Sequence, residues 1–71
     1  MSANVYRGTE IVGTSDEGVD TAIEGGIARA STTLGGVDWF EVTEVRGHIR
    51  EGRVAHYQAT MKVGFRMDAE A

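Results

Sequence analysis

The stretch Arg53-Val54-Ala55-His56-Tyr57-Gln58-Ala59-Thr60-Met61-Lys62-Val63-Gly64-Phe65-Arg66 decides the fold. From Ala55 onward its odd positions are Ala, Tyr, Ala, Met, Val and Phe, while its even positions are His, Gln, Thr, Lys, Gly and Arg. A period of two sustained over that length is a β-strand with one apolar and one polar face. The preceding segment, Val37 to Arg50, has Phe40 and Val42 at even positions but Val45 and Ile49 at odd ones. One extra residue near Thr43-Glu44, a β-bulge, restores a single apolar face to this strand as well. With a three-residue turn at Glu51-Gly52-Arg53, the hairpin then sets Ile49 against Ala55, Val45 against Ala59, Val42 against Met61 and Phe40 against Val63. On the opposite face the same register sets His48 against His56, Arg46 against Gln58, Glu41 against Lys62 and Trp39 against Gly64.

Upstream of the hairpin, Val5-Tyr6-Arg7-Gly8-Thr9-Glu10-Ile11-Val12 is rich in β-forming residues and stops at Gly13, which predicts a first strand over about residues 4–12. A helix follows over about residues 15–34. Thr14 and Glu17 have capping-box spacing, Ser15 is an equally good cap, and Asp16, Glu17 and Asp20 suit the positive end of the helix dipole. Val19, Ala22, Ile23, Gly26, Ile27, Ala30 and Leu34 recur at intervals of three and four and form one apolar stripe, with Asp20, Thr21, Glu24 and Ser31 opposite. Gly25 and Gly26 each cost about 1 kcal/mol relative to alanine in mid-helix. Close packing of the helix on a sheet offsets that, because a missing Cβ lets backbones approach. Gly35 suits the left-handed position that ends a helix. The order strand, helix, strand, strand in one domain over residues 1–71 is an α+β fold, and the ends, Met1–Ala3 and Asp68–Ala71, are expected to fray.

Composition narrows the function. The 71 residues include no cysteine and no proline, with a formal charge of −4 from 11 acidic and 7 basic side chains. Disulfides and thiolate zinc sites are thereby excluded. A core this small supplies only about 3–5 kcal/mol, which leaves oligomerisation as the device that stabilises the chain. The acidic balance argues against a nucleic-acid surface, and no apolar run approaches the roughly 20 residues that span a bilayer. A cytoplasmic protein without nucleic-acid or membrane partners is the expectation.

The helix must cover the apolar face of the hairpin, so the polar face points elsewhere, and on it lies the only tryptophan. Trp39, set among Glu41, Arg46, Gln58 and Arg66, calls for burial by something other than its own core: another subunit or a flat ligand. Gly64 leaves a gap beside the indole. Gln58 offers an amide donor and a carbonyl acceptor to the edge of a heteroaromatic ring. Nothing else points to chemistry: there is no nucleophile elbow, and Gly35-Gly36 follows a helix rather than a strand, the wrong context for a phosphate loop. Glu41 is matched with Lys62 rather than poised for acid–base work. His48 and His56 lack a third protein ligand for a metal and are read as structural or interfacial.

Glu10-Ile11-Val12-Gly13-Thr14-Ser15, Asp38-Trp39-Phe40-Glu41-Val42, Arg46-Gly47, Tyr57-Gln58 and Val63-Gly64-Phe65-Arg66 together resemble the bacterial dodecins, in collinear order over nearly the whole chain. The resemblance implies a β-α-β-β protomer whose three-stranded antiparallel sheet wraps around one helix. It also implies a hollow homododecamer of 23 symmetry with trimer contacts, and flavins bound in pairs at the interfaces. By that resemblance Trp39 stacks on the isoalloxazine, Gln58 bonds its pyrimidine edge, and FMN is the favoured ligand, with riboflavin or FAD also possible. Arg46 and Arg66 match basic positions near flavin or coenzyme A phosphates, and Lys62 is a further phosphate partner. Solvated charge or an intersubunit ion pair is the plainer role for all three.

The expected function is non-catalytic: a flavin store that limits flavin photochemistry. A coenzyme A-binding or purely structural oligomer is the alternative, and an electron-transfer flavoenzyme a more distant one.

Overall fold

The computed structural model describes residues 3–67; the fraying expected at Met1, Ser2 and Asp68–Ala71 lies outside them. Four elements follow one another: β1 (Tyr6–Ser15), α1 (Val19–Leu34), β2 (Val37–Arg50) and β3 (Arg53–Arg66). The strands form one antiparallel sheet in the order β1-β3-β2, with the alternating strand at its centre.

The predicted hairpin register holds over most of its length. Phe40 faces Val63, Val42 faces Met61, Val45 faces Ala59 and His48 faces His56, with the register shift between Val42 and Glu44 that a bulge at Thr43 requires. The hairpin end differs. Arg50 pairs with Arg53, which leaves a two-residue turn at Glu51-Gly52, and Ile49 faces Val54 rather than Ala55. Both turn residues take positive φ, 55° and 77°, as a type I′ turn demands and as the right-handed twist of the strands favours. Ala55 is the residue left over, at a second shift beside His48 and Ile49.

The helix starts later than its sequence implies. Thr14 and Ser15 stay in β1, paired with Gln58 and Tyr57, so ladder hydrogen bonds win over the capping box. The Ser15 hydroxyl instead accepts the Glu17 N–H at 2.9 Å, and the first helical bond runs from Ala22 N–H to Gly18 C=O at 3.1 Å. Gly35 ends the helix with φ 70° and ψ 155°, outside the left-handed helical well and in a region open almost only to glycine, while its N–H bonds Ser31 C=O.

Packing of α1 on the sheet depends on glycine. A Cβ on Gly13 would overlap the backbone carbonyl of Ala22, and one on Gly26 would come within 3.1 Å of Met61 Cε. Gly25 faces open space, so the close approach explains one of the two mid-helix glycines and not the other. The core comprises Ala22, Ala59, Met61 and Val63, flanked by Ile11, Ile23, Ile27, Val37 and Val42.

A helix of 16 residues spans about 24 Å, whereas strands of 14 residues span about 46 Å. The hairpin therefore runs far past its cover. A compact chain of this length has a radius of gyration near 11 Å, but this one has 14.9 Å and extents of 57 × 20 × 14 Å. Val45, Ile49 and Val54, on the overhanging apolar face, remain exposed.

Candidate functional site

The outer face of the sheet can be read rung by rung across β1, β3 and β2. Gly8, Gly64 and Trp39 form one rung; Glu10, Lys62 and Glu41 the next; then Val12, Thr60 and Glu44; then Thr14, Gln58 and Arg46; and beyond β1, His56 and His48. Tyr6 and Arg66 are paired just outside the first rung.

Trp39 reaches inward over the central strand. A Cβ on Gly64 would fall inside the indole, with Nε1 only 2.6 Å away, so the ring lies directly on the glycine backbone. The Tyr6 ring meets it from the other side of β3, centroids 6.1 Å apart and planes tilted by 57°. Tyr6 Oη donates to Asp38 Oδ2 at 3.3 Å, which ties β1 to the bulged start of β2. The indole stays 39% exposed. Gly64 makes the space that lets the two aromatics meet across a strand, whereas a Cβ on Gly8 would meet the Lys62 side chain at 3.4 Å. Tyr6 was not singled out from sequence, because its neighbourhood with Trp39 exists only once β1 joins β3; Gly64, on the strand between them, was the available signal.

The six residues singled out from sequence all fall on this outer face, but the structure divides them into two groups. Trp39, Gly64, Lys62 and Arg66 gather at one end, around an open groove lined by Tyr6, Gly8 and Trp39. Gln58 and Arg46 sit level with each other further along, beside His48 and His56. Six residues of β3 separate Gly64 from Gln58, or about 20 Å at 3.3 Å per residue. A single ring stacked on Trp39 does not reach Gln58 of the same chain. Lys62 is flanked on its rung by Glu10 and Glu41, not by Glu41 alone as the hairpin had suggested.

Among the described residues there is no buried charged side chain and no cluster of three metal-ligating groups. No helix among them is long and apolar enough to cross a membrane.

The architecture defines a class: a small β-α-β-β subunit whose helix covers one side of a three-stranded sheet and whose other side carries an aromatic platform. Comparison with known proteins agrees in sequence and in shape. The Dodecin family model matches residues 5–68. Dodecin of Thermus thermophilus is 52% identical over 64 residues, covering 90% of this chain and 93% of that protein. The solved structure of dodecin from Streptomyces davaonensis superposes with a TM-score of 0.88 at 63% identity, covering 96% of this chain and all of the other. The structure of dodecin from Streptomyces coelicolor gives a TM-score of 0.88 at 54% identity, over 99% of this chain and all of the other. The chain belongs to the dodecin family.

Proposed function

We propose that this dodecin is a flavin store that holds FMN non-catalytically, as stacked pairs between tryptophans of neighbouring protomers in a homododecameric shell. The observation that carries this reading is the indole of Trp39, seated on Gly64 and still 39% exposed on a sheet face its own helix does not cover. The residues fit the ligand: an aromatic platform for a planar ring, backed by Gly64 where a side chain would lift it away.

The 20 Å between Trp39 and Gln58 gives the site its form. A ring on Trp39 takes its pyrimidine-edge hydrogen bonds from Gln58 of a different protomer, so the site is complete only on assembly. Exposed Val45, Ile49 and Val54 supply an apolar surface for subunit contact, on the scale of about 1.5–3 kcal/mol for each such side chain fully covered.

A free flavin in the light passes its excitation on to side reactions. Within the site Trp39 covers one face of the ring and quenches it by electron donation from the indole. The second ring of the pair covers the other face, which excludes a substrate and favours storage over turnover.

Titration of the apoprotein with riboflavin, FMN and FAD tests the reading. Loss of flavin emission on binding, at one flavin per chain, is the expected result. A colourless protein that binds none of the three, or one that turns over a nicotinamide or quinone faster than free flavin, contradicts it.

A further inference from the structure

The contact between Tyr6 and Trp39 joins three groups that packing alone does not require. The two rings lie 6.1 Å apart between centroids at a tilt of 57°, within the range of edge-to-face pairs. A phenylalanine at position 6 would pack in the same way. What tyrosine adds is a hydroxyl, and the Tyr6 hydroxyl is held 3.3 Å from a carboxylate oxygen of Asp38, the residue before Trp39 in the chain. An indole, a phenol and a carboxylate thus stand in series, each within reach of the next.

These are the parts of a proton-coupled electron relay. Indole and phenol are, after thiols, the side chains that most readily give up a single electron, and the chain has no cysteine. A phenol that loses an electron sheds its proton, so the step goes forward where a base is waiting. At 3.3 Å the bond to Asp38 is longer than the roughly 2.7–2.8 Å typical of hydroxyl donors, so it aims the hydroxyl at its acceptor without committing the proton. The other tyrosine cannot serve. Tyr57 is level with Gly47, seven residues along β3 from Gly64 or about 23 Å, and alternation turns it to the opposite face of the sheet.

We propose that Tyr6 is an electron relay for Trp39, with Asp38 as its proton acceptor. When a one-electron oxidant takes an electron from the indole, the Tyr6 phenol supplies one in its place and its Oη proton passes to Asp38 Oδ2. The products are a neutral indole, a Tyr6 phenoxyl radical and a protonated Asp38 carboxyl. Tyr6 is 39% exposed, so a soluble thiolate or ascorbate returns the electron from solvent while Asp38 returns the proton. The three groups regain their starting state, and the indole escapes attack by oxygen. The oxidant is any one-electron acceptor that meets the platform, a photoexcited flavin included, so the relay goes beyond the storage reading and does not depend on it.

Pulse radiolysis of the flavin-free protein in azide solution tests this, because the azide radical oxidises indoles in preference to phenols. In the parent, absorption of the Trp39 radical should decay as that of a phenoxyl radical rises, at a rate independent of protein concentration. Tyr6→Phe should abolish the conversion and Tyr57→Phe should leave it unchanged. Asp38→Asn, which keeps both rings, should slow it about tenfold or more, as loss of a positioned base does. An indole radical that decays in Tyr6→Phe as it does in the parent overturns the relay. So does a conversion lost in Tyr57→Phe, or one that keeps the parent rate in Asp38→Asn. Peptide mass spectrometry after repeated pulses in air gives a second readout: Trp39 should be oxygenated several-fold more in Tyr6→Phe than in the parent, and equal oxygenation overturns the relay as well. No flavin is present at any point, so a failure of the flavin reading leaves this result standing.

Discussion

Trp39 lies on Gly64: the indole occupies the volume that a Cβ on residue 64 would need. The two are cross-strand partners in the β2–β3 ladder, and their contact sets the height of the aromatic platform above the sheet. It follows that Gly64→Ala costs stability only because Trp39 is there. In the parent the substitution should destabilise by about 1–3 kcal/mol, the usual penalty for overpacking. In a Trp39→Ala background it should be nearly neutral. Denaturant midpoints of the four proteins of this cycle measure the coupling, and equal costs in both backgrounds would place the indole elsewhere.

The helix approaches the sheet through Gly13, where a Cβ would overlap the Ala22 carbonyl, whereas Gly25 looks into open space. Alanine should therefore have opposite effects at the two positions. Gly13→Ala meets backbone, which cannot swing aside, and should lower the apparent melting temperature, with a cost of about 1–3 kcal/mol. Gly25→Ala should raise it, gaining up to about 1 kcal/mol of helix propensity. A destabilising Gly25→Ala would mean that a neighbouring subunit sits against that position.

The turn offers a stabilising change. Glu51 holds φ 55° next to Gly52 at φ 77°, and asparagine tolerates positive φ far better than glutamate. Glu51→Asn should raise the melting temperature, by an amount corresponding to roughly 0.5–1 kcal/mol. No change would argue that the turn contributes little to the folding of the hairpin.

How much of this was legible in the residue order depends on the range of the interaction. The alternation in β3 and the phase slip at Thr43 are local patterns, and both survive in the structure because each strand has one face to bury. The helix start was misplaced because Thr14 and Ser15 carry a strong local capping signal, yet β1 gains two more rungs against Tyr57 and Gln58. The turn was one residue too long because the glutamate at 51 disguises a position with positive φ. At the site, the shared face of Trp39, Gln58, Arg46, Lys62, Gly64 and Arg66 follows from parity once the bulge at Thr43 is counted. Their division into two distant groups follows from counting residues along the strand. The contact of Tyr6 with Trp39 required knowing that β1 lies beside β3, which no local pattern encodes.

The overhang of the hairpin bears on assembly. Ile49 is 69% exposed and Val45 52%, on a face that α1 is too short to cover. Replacing both by aspartate should abolish the large oligomer on light scattering while the far-ultraviolet spectrum at high protein concentration keeps its strand signal. Flavin binding should disappear with the oligomer, because Trp39 and Gln58 of one chain are too far apart to share a ring. A monomeric variant that still bound flavin tightly would contradict a site shared between protomers.

The most direct measurement is an FMN titration of assembled parent and Trp39→Ala proteins, followed by flavin emission. In the parent, emission should fall steeply and saturate at one flavin per chain. In Trp39→Ala, affinity should drop by about 1–3 kcal/mol, tenfold or more for most of that range, and the residual complex should remain brighter. Equal affinity and equal quenching in an intact Trp39→Ala oligomer would contradict a flavin site built on this indole.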